Sequence, residues 1–274
     1  MTHLLNRQDA PFSAQVWDYI DSVVVNAAKS QYSVRRIVDV EGPYGLGTKT
    51  VPTRDRTTKE KAQFGDATTA VAASRGIPLA YVTSSFFLGS RDIESFEQGG
   101  IKFDATAVAE AAIATALQED RLLLNGSKEL DAEGLLNARG AESHKLRAWN
   151  EVGRAAGDIM AALTVLDNAG FHGPYALALA PGLYNQLFRL YPDTHLTEYD
   201  HIKQFVTDGI VKAPSLDAGG VLLNTGAFFV SIALGQDVSA GFIGPVEGGY
   251  ELSVTESAAL RILVPQSICV LRAG

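Results

Sequence analysis

The sequence predicts a mixed α+β fold, and three features lead to that prediction. Helical patterns dominate the first two thirds of the chain, and strand-like stretches rich in Val, Ile and Leu follow one another in the last quarter. No repeat, low-complexity tract or linker divides the 274 residues into independent units. Because this length allows one large domain or two joined ones, we expect a discontinuous two-part architecture.

Composition and charge exclude several classes of protein. Hydrophobic residues make up 46% of the chain, enough for a sizeable core. The 31 Asp and Glu outnumber the 23 Lys and Arg, and the net charge of −8 argues against nucleic-acid binding. No apolar run approaches the ~18 residues of a membrane helix, and Arg7 and Asp9 stand where a signal peptide would be apolar, so we expect a cytosolic protein. Cys269 has apolar neighbours and should be a small buried residue.

The first predicted element is an amphipathic helix over residues 11–29, with Ser13 as its N-cap. Its apolar residues recur at helical spacing at Val16, Ile20, Val23, Val24 and Ala27. A short extended piece follows at residues 37–40. The glycines and proline of residues 42–47 then predict a turn.

The segment from Thr48 to Ala73 has no core-forming period in its first half and carries many charges. A loop of this length in a compact domain is normally functional, disordered or in contact with a partner. The compact core resumes at residues 77–88. We therefore expect an arm that reaches out from the body of the chain.

Alanine dominates the second long helix, which Asp104 can cap and Gly126 can end. Its small side chains allow close packing on more than one side, so we expect a central strut. Further helices are predicted at residues 151–169, 181–191 and 197–206. Further strands are predicted at residues 175–179, 221–223, 228–234, 250–254, 260–264 and 268–271.

No pattern of catalytic residues stands out. Glu198 and His201 have the spacing of one carboxylate and imidazole pair of a di-iron site, but the second pair is missing. The segment GPYGLGTKT at residues 42–50 departs from a phosphate-binding loop, because its lysine does not directly follow the second glycine. Serine-hydrolase, zinc-cysteine and dinucleotide motifs are missing, and carboxylates such as Glu119 and Asp120 are expected on solvated faces. We expect neither catalysis nor a bound metal.

Several segments, in order along nearly the whole chain, resemble one protein family. They are APFSAQVWDYID at 10–21, RRIVDVEGPYG at 35–45, RDIESF at 91–96, GPYALALAP at 173–181 with LYNQLFRLYP after it, and LGQDVSAGF at 234–242. Together they resemble family 1 encapsulins, the shell proteins of bacterial and archaeal nanocompartments. An ordered set of matches is more specific than any single one.

The resemblance implies an HK97 phage-capsid-like fold. The peripheral (P) domain would comprise residues 1–47 with the N-terminal helix, residues 77–142 with the spine helix, and residues 226–274. The extended loop (E-loop) would be residues 48–76, and the axial (A) domain residues 143–225. The resemblance also implies a self-assembling icosahedral shell subunit, without catalysis of its own, that encloses a cargo enzyme in the cytoplasm.

By the same resemblance, the N-terminal helix and the P-domain form a groove for a C-terminal targeting peptide of the cargo. The aligned lining candidates are Trp17, Ile20, Val24, Arg35, Asp39, Val238 and Phe242. An apolar groove can hold the aliphatic side chains of an extended peptide, although Ile20 and Val24 fit core positions equally well. The loop around the five-fold pore corresponds to Asp193, Thr194, His195, Leu196 and Thr197.

Two details bear on cofactor and cargo. Some members bind flavin through a tryptophan before an acidic pair; this chain has Ser90 and Arg91 there, so no flavin or other cofactor is expected. Residues 47–52 keep the Gly-x-x-Thr-Val-Pro wording of members with ferritin-like, iron-oxidising cargo, which favours iron storage.

Three alternatives stay open at the level of sequence. The cargo could be a dye-decolorizing peroxidase. A phage or prophage capsid protein would share the fold and enclose DNA, which the acidic composition disfavours. An enzyme such as a protease would need a nucleophile signature that the sequence lacks.

Overall fold

The computed structural model describes residues 5–61 and 68–274. Its helices are α1 (Ala14–Lys29), α2 (Ser90–Gly99), α3 (Thr106–Asn125), α4 (Arg154–Asn168), α5 (Pro181–Gln186) and α6 (Glu198–Ile202). Its strands are β1 (Asp39–Glu41), β2 (Thr50–Lys61), β3 (Thr68–Pro78), β4 (Ala80–Gly89), β5 (Glu142–Lys145), β6 (Tyr175–Leu179), β7 (Ile210–Lys212), β8 (Gly220–Asn224), β9 (Val230–Val246), β10 (Gly249–Ile262) and β11 (Ile268–Arg272). This content confirms the predicted α+β class.

The first sheet has the strand order β1-β9-β10-β4. β9 and β10 form a long antiparallel hairpin, β4 pairs antiparallel with β10, and β1 pairs parallel with β9. Helices α1 and α3 share one apolar core with this sheet. The side chains that α1 buries lie on one helical face and are Val16, Trp17, Ile20, Val24 and Ala28.

The second sheet has the strand order β5-β11-β8-β6-β7, and α4 covers it. It includes β11, so the last strand of the chain joins the sheet of residues 142–224, whereas the sequence placed residues 226–274 in the P-domain. The physical reason is burial. Residues 268–271 are apolar and wholly buried, which suits a strand with neighbours on both sides, as β11 has in β5 and β8.

The arm expected at residues 48–76 is a two-stranded antiparallel ribbon of β2 and β3. Thr50 pairs with Pro78 and Val51 with Ile77 at its base. The β-branched residues of both segments favour extended backbone. A strand preference of this kind does not require the regular apolar spacing that this segment lacks. The tip of the predicted E-loop, residues 62–67, and residues 1–4 of the predicted N-terminal segment lie outside the described residues.

Helix α3 is the predicted strut, in contact with α1, β4 and β10. Asp104 Oδ1 accepts a hydrogen bond of 2.9 Å from the Thr106 backbone N–H at its start. Gly126 ends it with a positive φ of 66°, as expected of a C-terminal glycine. Its alanines Ala111, Ala112 and Ala116 are buried, which lets neighbouring elements approach closely.

Several element boundaries differ from the predicted ones. Helix α6 stops at Ile202, well before residue 206, and α5 stops at Gln186. Strand β9 continues past the expected end at residue 234, and β10 runs through the break expected between residues 254 and 260, because register shifts in the hairpin absorb the irregular residues. Ser13 stands at the N-cap of α1, but its hydroxyl makes no capping bond; its backbone N–H instead donates to Glu97 Oε1 at 2.7 Å.

Across the described residues, no helix is both long and apolar enough to cross a membrane.

Candidate functional site

A cluster of charges buried around Arg35 joins several elements of the first domain, which the first sheet forms with α1 and α3. Arg35 is the middle residue of a short 3₁₀ turn after α1, Val34–Arg36, and donates to Glu119 through Nε at 2.7 Å and Nη2 at 2.5 Å. Its Nη1 donates to Asp237 Oδ1 at 2.7 Å, and its guanidinium lies 4.1 Å from the ring centroid of Tyr32. Arg35 was expected to line the groove. In the structure it joins α3 to β9 through these contacts.

Glu256, on β10, completes this charge cluster. Its Oε2 accepts a hydrogen bond of 2.6 Å from the Tyr32 hydroxyl and lies 3.2 Å from Arg35 Nη2. Its side chain is 0% exposed, and its Oε1 has no hydrogen-bond partner. Burial, and next the Glu119 carboxylate, raise the pKa of Glu256 to about 9. Glu256 is therefore protonated at neutral pH.

Asp120 anchors the chain where it leaves α1. Its carboxylate accepts hydrogen bonds from the Ser33 backbone N–H at 2.7 Å, the Ser33 hydroxyl at 2.5 Å and the Val34 backbone N–H at 3.0 Å. Burial raises its pKa. The expectation that Glu119 and Asp120 lie on a solvated face is wrong. A usable signal existed, because Ala112, Ala116 and Asp120 are spaced four residues apart on one helical face.

The groove residues predicted on α1 and β9 are all buried or half-buried in the protomer, and Trp17 and Phe242 are the most exposed of the buried ones, at 9% and 7%. Trp17 and Phe242 lie together around Phe12, whose ring centroid is 5.5 Å from that of Trp17 and 5.9 Å from that of Phe242. Val238 is half-buried and packs against the same apolar core. Ile20 and Val24 lie beneath, 0% and 1% exposed. A side chain so enclosed cannot contact a peptide at the surface, so these two are core residues and not lining residues.

Asp39 lies apart from the other groove candidates. It begins β1 and pairs with Ser231, which precedes Val238 on β9 by about 23 Å of extended strand. Its side chain is exposed. The structure therefore does not bring Asp39 together with Trp17 and Phe242.

The predicted pore residues form a compact turn between α5 and α6, here named the tip, in the second domain that the second sheet and α4 form. The Tyr191 N–H donates to the Leu196 carbonyl at 3.0 Å, and the Thr194 N–H donates to the Tyr191 carbonyl at 3.3 Å. Asp193, Thr194, His195 and Leu196 are exposed. Thr197 instead caps α6, where its hydroxyl oxygen accepts from the Asp200 N–H at 3.1 Å.

Glu198 and His201 have the spacing that was considered for a metal site, but each makes hydrogen bonds with different residues. Glu198 is buried and accepts hydrogen bonds from Arg189 Nη2 at 2.9 Å and from the Ala156 N–H at 3.1 Å. His201 Nδ1 lies 3.1 Å from the Tyr191 hydroxyl. Within residues 5–61 and 68–274, no group of three or more His, Cys, Asp and Glu side chains is arranged to hold a metal ion.

Two further expectations concern single side chains. Cys269 is fully buried in β11, which confirms it as a small core residue, and burial raises its pKa to about 12. Arg91 is exposed on α2. Nothing in its surroundings tests whether a flavin binds, and the expected absence of flavin stays a prediction.

Comparison with solved structures identifies the fold. A virus-like particle protein of Pyrococcus furiosus superposes with a TM-score of 0.74 at 20% identity, over 94% of this chain and 100% of that one. The capsid protein of Myoviridae phage XM1 gives a TM-score of 0.61 at 12% identity, over 86% of this chain and 90% of that one. The fold is that of HK97-type capsid proteins, as the sequence predicted.

Comparison of sequences gives the family. A family model described as "Encapsulating protein for peroxidase" matches residues 1–259. The "Type 1 encapsulin shell protein EncA" of Myxococcus xanthus is 32% identical over 280 aligned positions, 99% of this chain and 97% of that protein. The chain therefore belongs to the encapsulin shell protein family, and the predicted resemblance is confirmed.

A charge placed at Ile20 tests whether this residue belongs to the core. We expect Ile20→Asp to lower the free energy of unfolding by about 5 kcal/mol, because it removes apolar contacts and buries an unpaired carboxylate. The control Asn26→Asp puts the same charge on the exposed face of α1 and should change this free energy by under about 0.5 kcal/mol. Urea denaturation measures the free energy of unfolding of both variants. An Ile20→Asp protein as stable as the native chain would show that Ile20 is not a core residue.

The buried carboxyl of Glu256 predicts a pH dependence. The folded chain keeps this proton up to about pH 9, whereas the unfolded chain loses it near the ordinary value of 4.5. Stability from this group is therefore complete below pH 4.5 and is lost as the pH rises to about 9. In Glu256→Gln, the free energy of unfolding should fall less across this window than in the native chain or in the exposed control Glu247→Gln. Parallel pH profiles of all three proteins would contradict the assignment.

Proposed function

We propose that this chain is the shell subunit of a closed icosahedral nanocompartment in the cytoplasm, without catalytic activity of its own. The β2–β3 arm carries the proposal. Residues 70–76 of the arm are exposed throughout, and a lone two-stranded ribbon is only marginally stable in water. The arm therefore requires contacts with neighbouring copies of the chain to be stable. A closed symmetric assembly gives every copy the same contacts.

Apolar surface at the tip of the second domain supports the same proposal. Phe188, Leu190 and Leu196 are 51%, 56% and 55% exposed, beside the turn of residues 191–197. Phe188 stacks on Tyr199 with ring centroids 5.1 Å apart, so its ring is held in place. Exposed apolar groups of this size usually mark protein contacts. We assign this tip to the contact between copies around the five-fold pore, with Asp193, Thr194 and His195 facing the opening.

The enclosed partner in this proposal is an enzyme with a C-terminal targeting peptide. The groove candidates Trp17, Val238 and Phe242, which are buried or half-buried in the protomer, supply the apolar side chains that an extended peptide would contact. The wording of residues 47–52 favours a ferritin-like, iron-oxidising cargo and hence iron storage or defence against oxidative stress.

A peroxidase is the second candidate for the cargo. The description of the matching family model, an encapsulating protein for peroxidase, favours it. The two candidates differ in one observable, the identity of the protein that co-purifies with shells from the native cell. Mass spectrometry of that protein decides between them, and particles filled with DNA would favour a phage capsid instead.

Charges at the apolar tip should interrupt assembly. We expect the double variant Leu190→Asp/Leu196→Asp to keep the circular dichroism spectrum of the native chain, because both side chains are exposed in the protomer. Its share of particles in electron micrographs should fall at least tenfold, since two charges would be buried at each contact. The control Gln204→Glu adds one charge at an exposed site of the same domain. Intact shells of the double variant would remove the tip from the contact.

A charge at Val238 should separate loading from assembly. In Val238→Asp we expect normal particles with at least tenfold less co-purified cargo, because a carboxylate would disrupt the apolar seat of the peptide. Ile243→Asp, at an exposed position on the same strand, is the matched control and should load normally. Equal cargo in shells of Val238→Asp and of the native chain would exclude this surface as the groove.

A further inference from the structure

The N-terminal segment of residues 5–12, here named the strap, lies across the surface assigned to the cargo peptide. It includes a 3₁₀ turn at Arg7–Asp9 and contacts Trp17, Ala240, Gly241 and Phe242. We propose that the strap is a built-in occupant of the groove, which a cargo peptide must displace in order to bind. This inference rests on the proposed function and adds to it a regulation of the same site.

Arg7 is the main polar anchor of the strap. Its Nε donates to the Ala240 carbonyl on β9 at 2.9 Å, and its guanidinium pairs with the Asp21 carboxylate on α1. The same guanidinium lies 4.4 Å from the ring centroid of Trp17. One side chain thus bridges the helix and the strand that form the two sides of the groove.

Phe12 is the apolar anchor at the other end of the strap. Its ring meets Trp17, Phe242 and Tyr250 with centroid distances of 5.5, 5.9 and 5.0 Å. These are the contacts that a hydrophobic side chain of a bound peptide would make with the same surface. The strap therefore covers the apolar part of the groove with Phe12 and the neighbouring polar groups with Arg7.

Gly241 permits the close approach of the strap to β9. A Cβ atom at this position would lie 3.2 Å from the Leu5 carbonyl oxygen and 3.4 Å from Leu5 Cδ2. The backbone of the strap thus rests directly on the strand, as a short peptide would. A side chain at position 241 would require Leu5, or Ser253 Oγ at 3.3 Å, to shift by a few tenths of an ångström.

No residue of the strap is fully buried, although Ala10 and Phe12 pack against the core. Its 3₁₀ turn buries no residue, and Asn6, Asp9 and Pro11 are exposed. Segments with few buried contacts open at low cost in free energy while the rest of a protein stays folded. Phe12 of the strap covers Trp17 and Phe242, whereas Ile20 and Val24 lie deeper, so opening of the strap would uncover the groove.

A built-in occupant sets the apparent affinity of the groove. An external peptide binds only the open fraction of molecules, so its apparent dissociation constant is raised by the inverse of that fraction. Loss of the ion pair, the hydrogen bond and the aromatic contact of Arg7 should raise the open fraction about tenfold. Loading would then depend on how strongly a peptide outcompetes the strap.

The test uses a fluorescein-labelled peptide with the sequence LNRQDAPFS, residues 5–13 of the chain, as the external probe. Its binding to assembled shells is measured by fluorescence anisotropy for the native chain, for Arg7→Ala and for a chain lacking residues 2–9. We expect Arg7→Ala to bind the probe about tenfold more tightly than the native chain, and the shortened chain at least as tightly. The control Arg139→Ala removes an exposed ion pair with Glu133, far along the sequence, and should bind like the native chain.

The outcomes separate this inference from the proposed function. Equal binding by the native chain and Arg7→Ala, or weaker binding by the variant, overturns the strap as a competitor. Failure of the shortened chain to bind the probe, with its thermal unfolding unchanged, overturns the assignment of this surface as a peptide seat. Absence of particles from the native chain refutes the proposed shell function instead. If the shortened chain does not fold, Arg7→Ala and the native chain alone decide the outcome.

Discussion

Two adjacent carboxylates near the end of α3 hold the first domain together. Asp120 fixes the chain through Ser33 and Val34 as it leaves α1, and Glu119 binds Arg35, whose guanidinium extends to β9 and β10. Water does not reach these carboxylates, so each must find its partners within the chain. Any arrangement that separates the helix, the strut and the long hairpin leaves a buried charge unpaired. The cluster thereby favours a single placement of these elements.

This rigid body explains why the proposed functions lie at its edges. The arm and the tip around residues 188–197 extend from the cores that the helices and sheets form, and the strap at residues 5–12 lies on the outside of one of them. They expose backbone or apolar side chains that the protomer itself does not cover. A shell subunit needs such segments for contact with its copies and its cargo, and it needs a body that does not deform when they bind. The buried charges supply that body.

Periodicity in the sequence predicted the parts of the fold that depend on local pattern. The apolar face of α1, the strut α3 and the strand β6 follow from spacing and composition alone. The place of β11 in the second sheet does not, because a wholly buried strand has no alternation that would show which sheet it joins. The same limit applied to the groove. Helical spacing places Ile20 and Trp17 equally well on the inner face of α1, and only the packing in the structure shows that Ile20 lies deeper in the core than Trp17. The strap was missed because its contacts with β9 join residues more than two hundred positions apart.

The measurement that most directly tests this account is the stability of Asp120→Asn. Asp120 accepts three hydrogen bonds through two oxygens, whereas an asparagine has one acceptor oxygen and would turn its amide hydrogens towards donors. We predict that urea denaturation shows a loss of about 3 kcal/mol in the free energy of unfolding, against under about 0.5 kcal/mol for the exposed control Asp217→Asn. A free energy of unfolding for Asp120→Asn equal to that of the native chain would contradict the central role of the carboxylate pair.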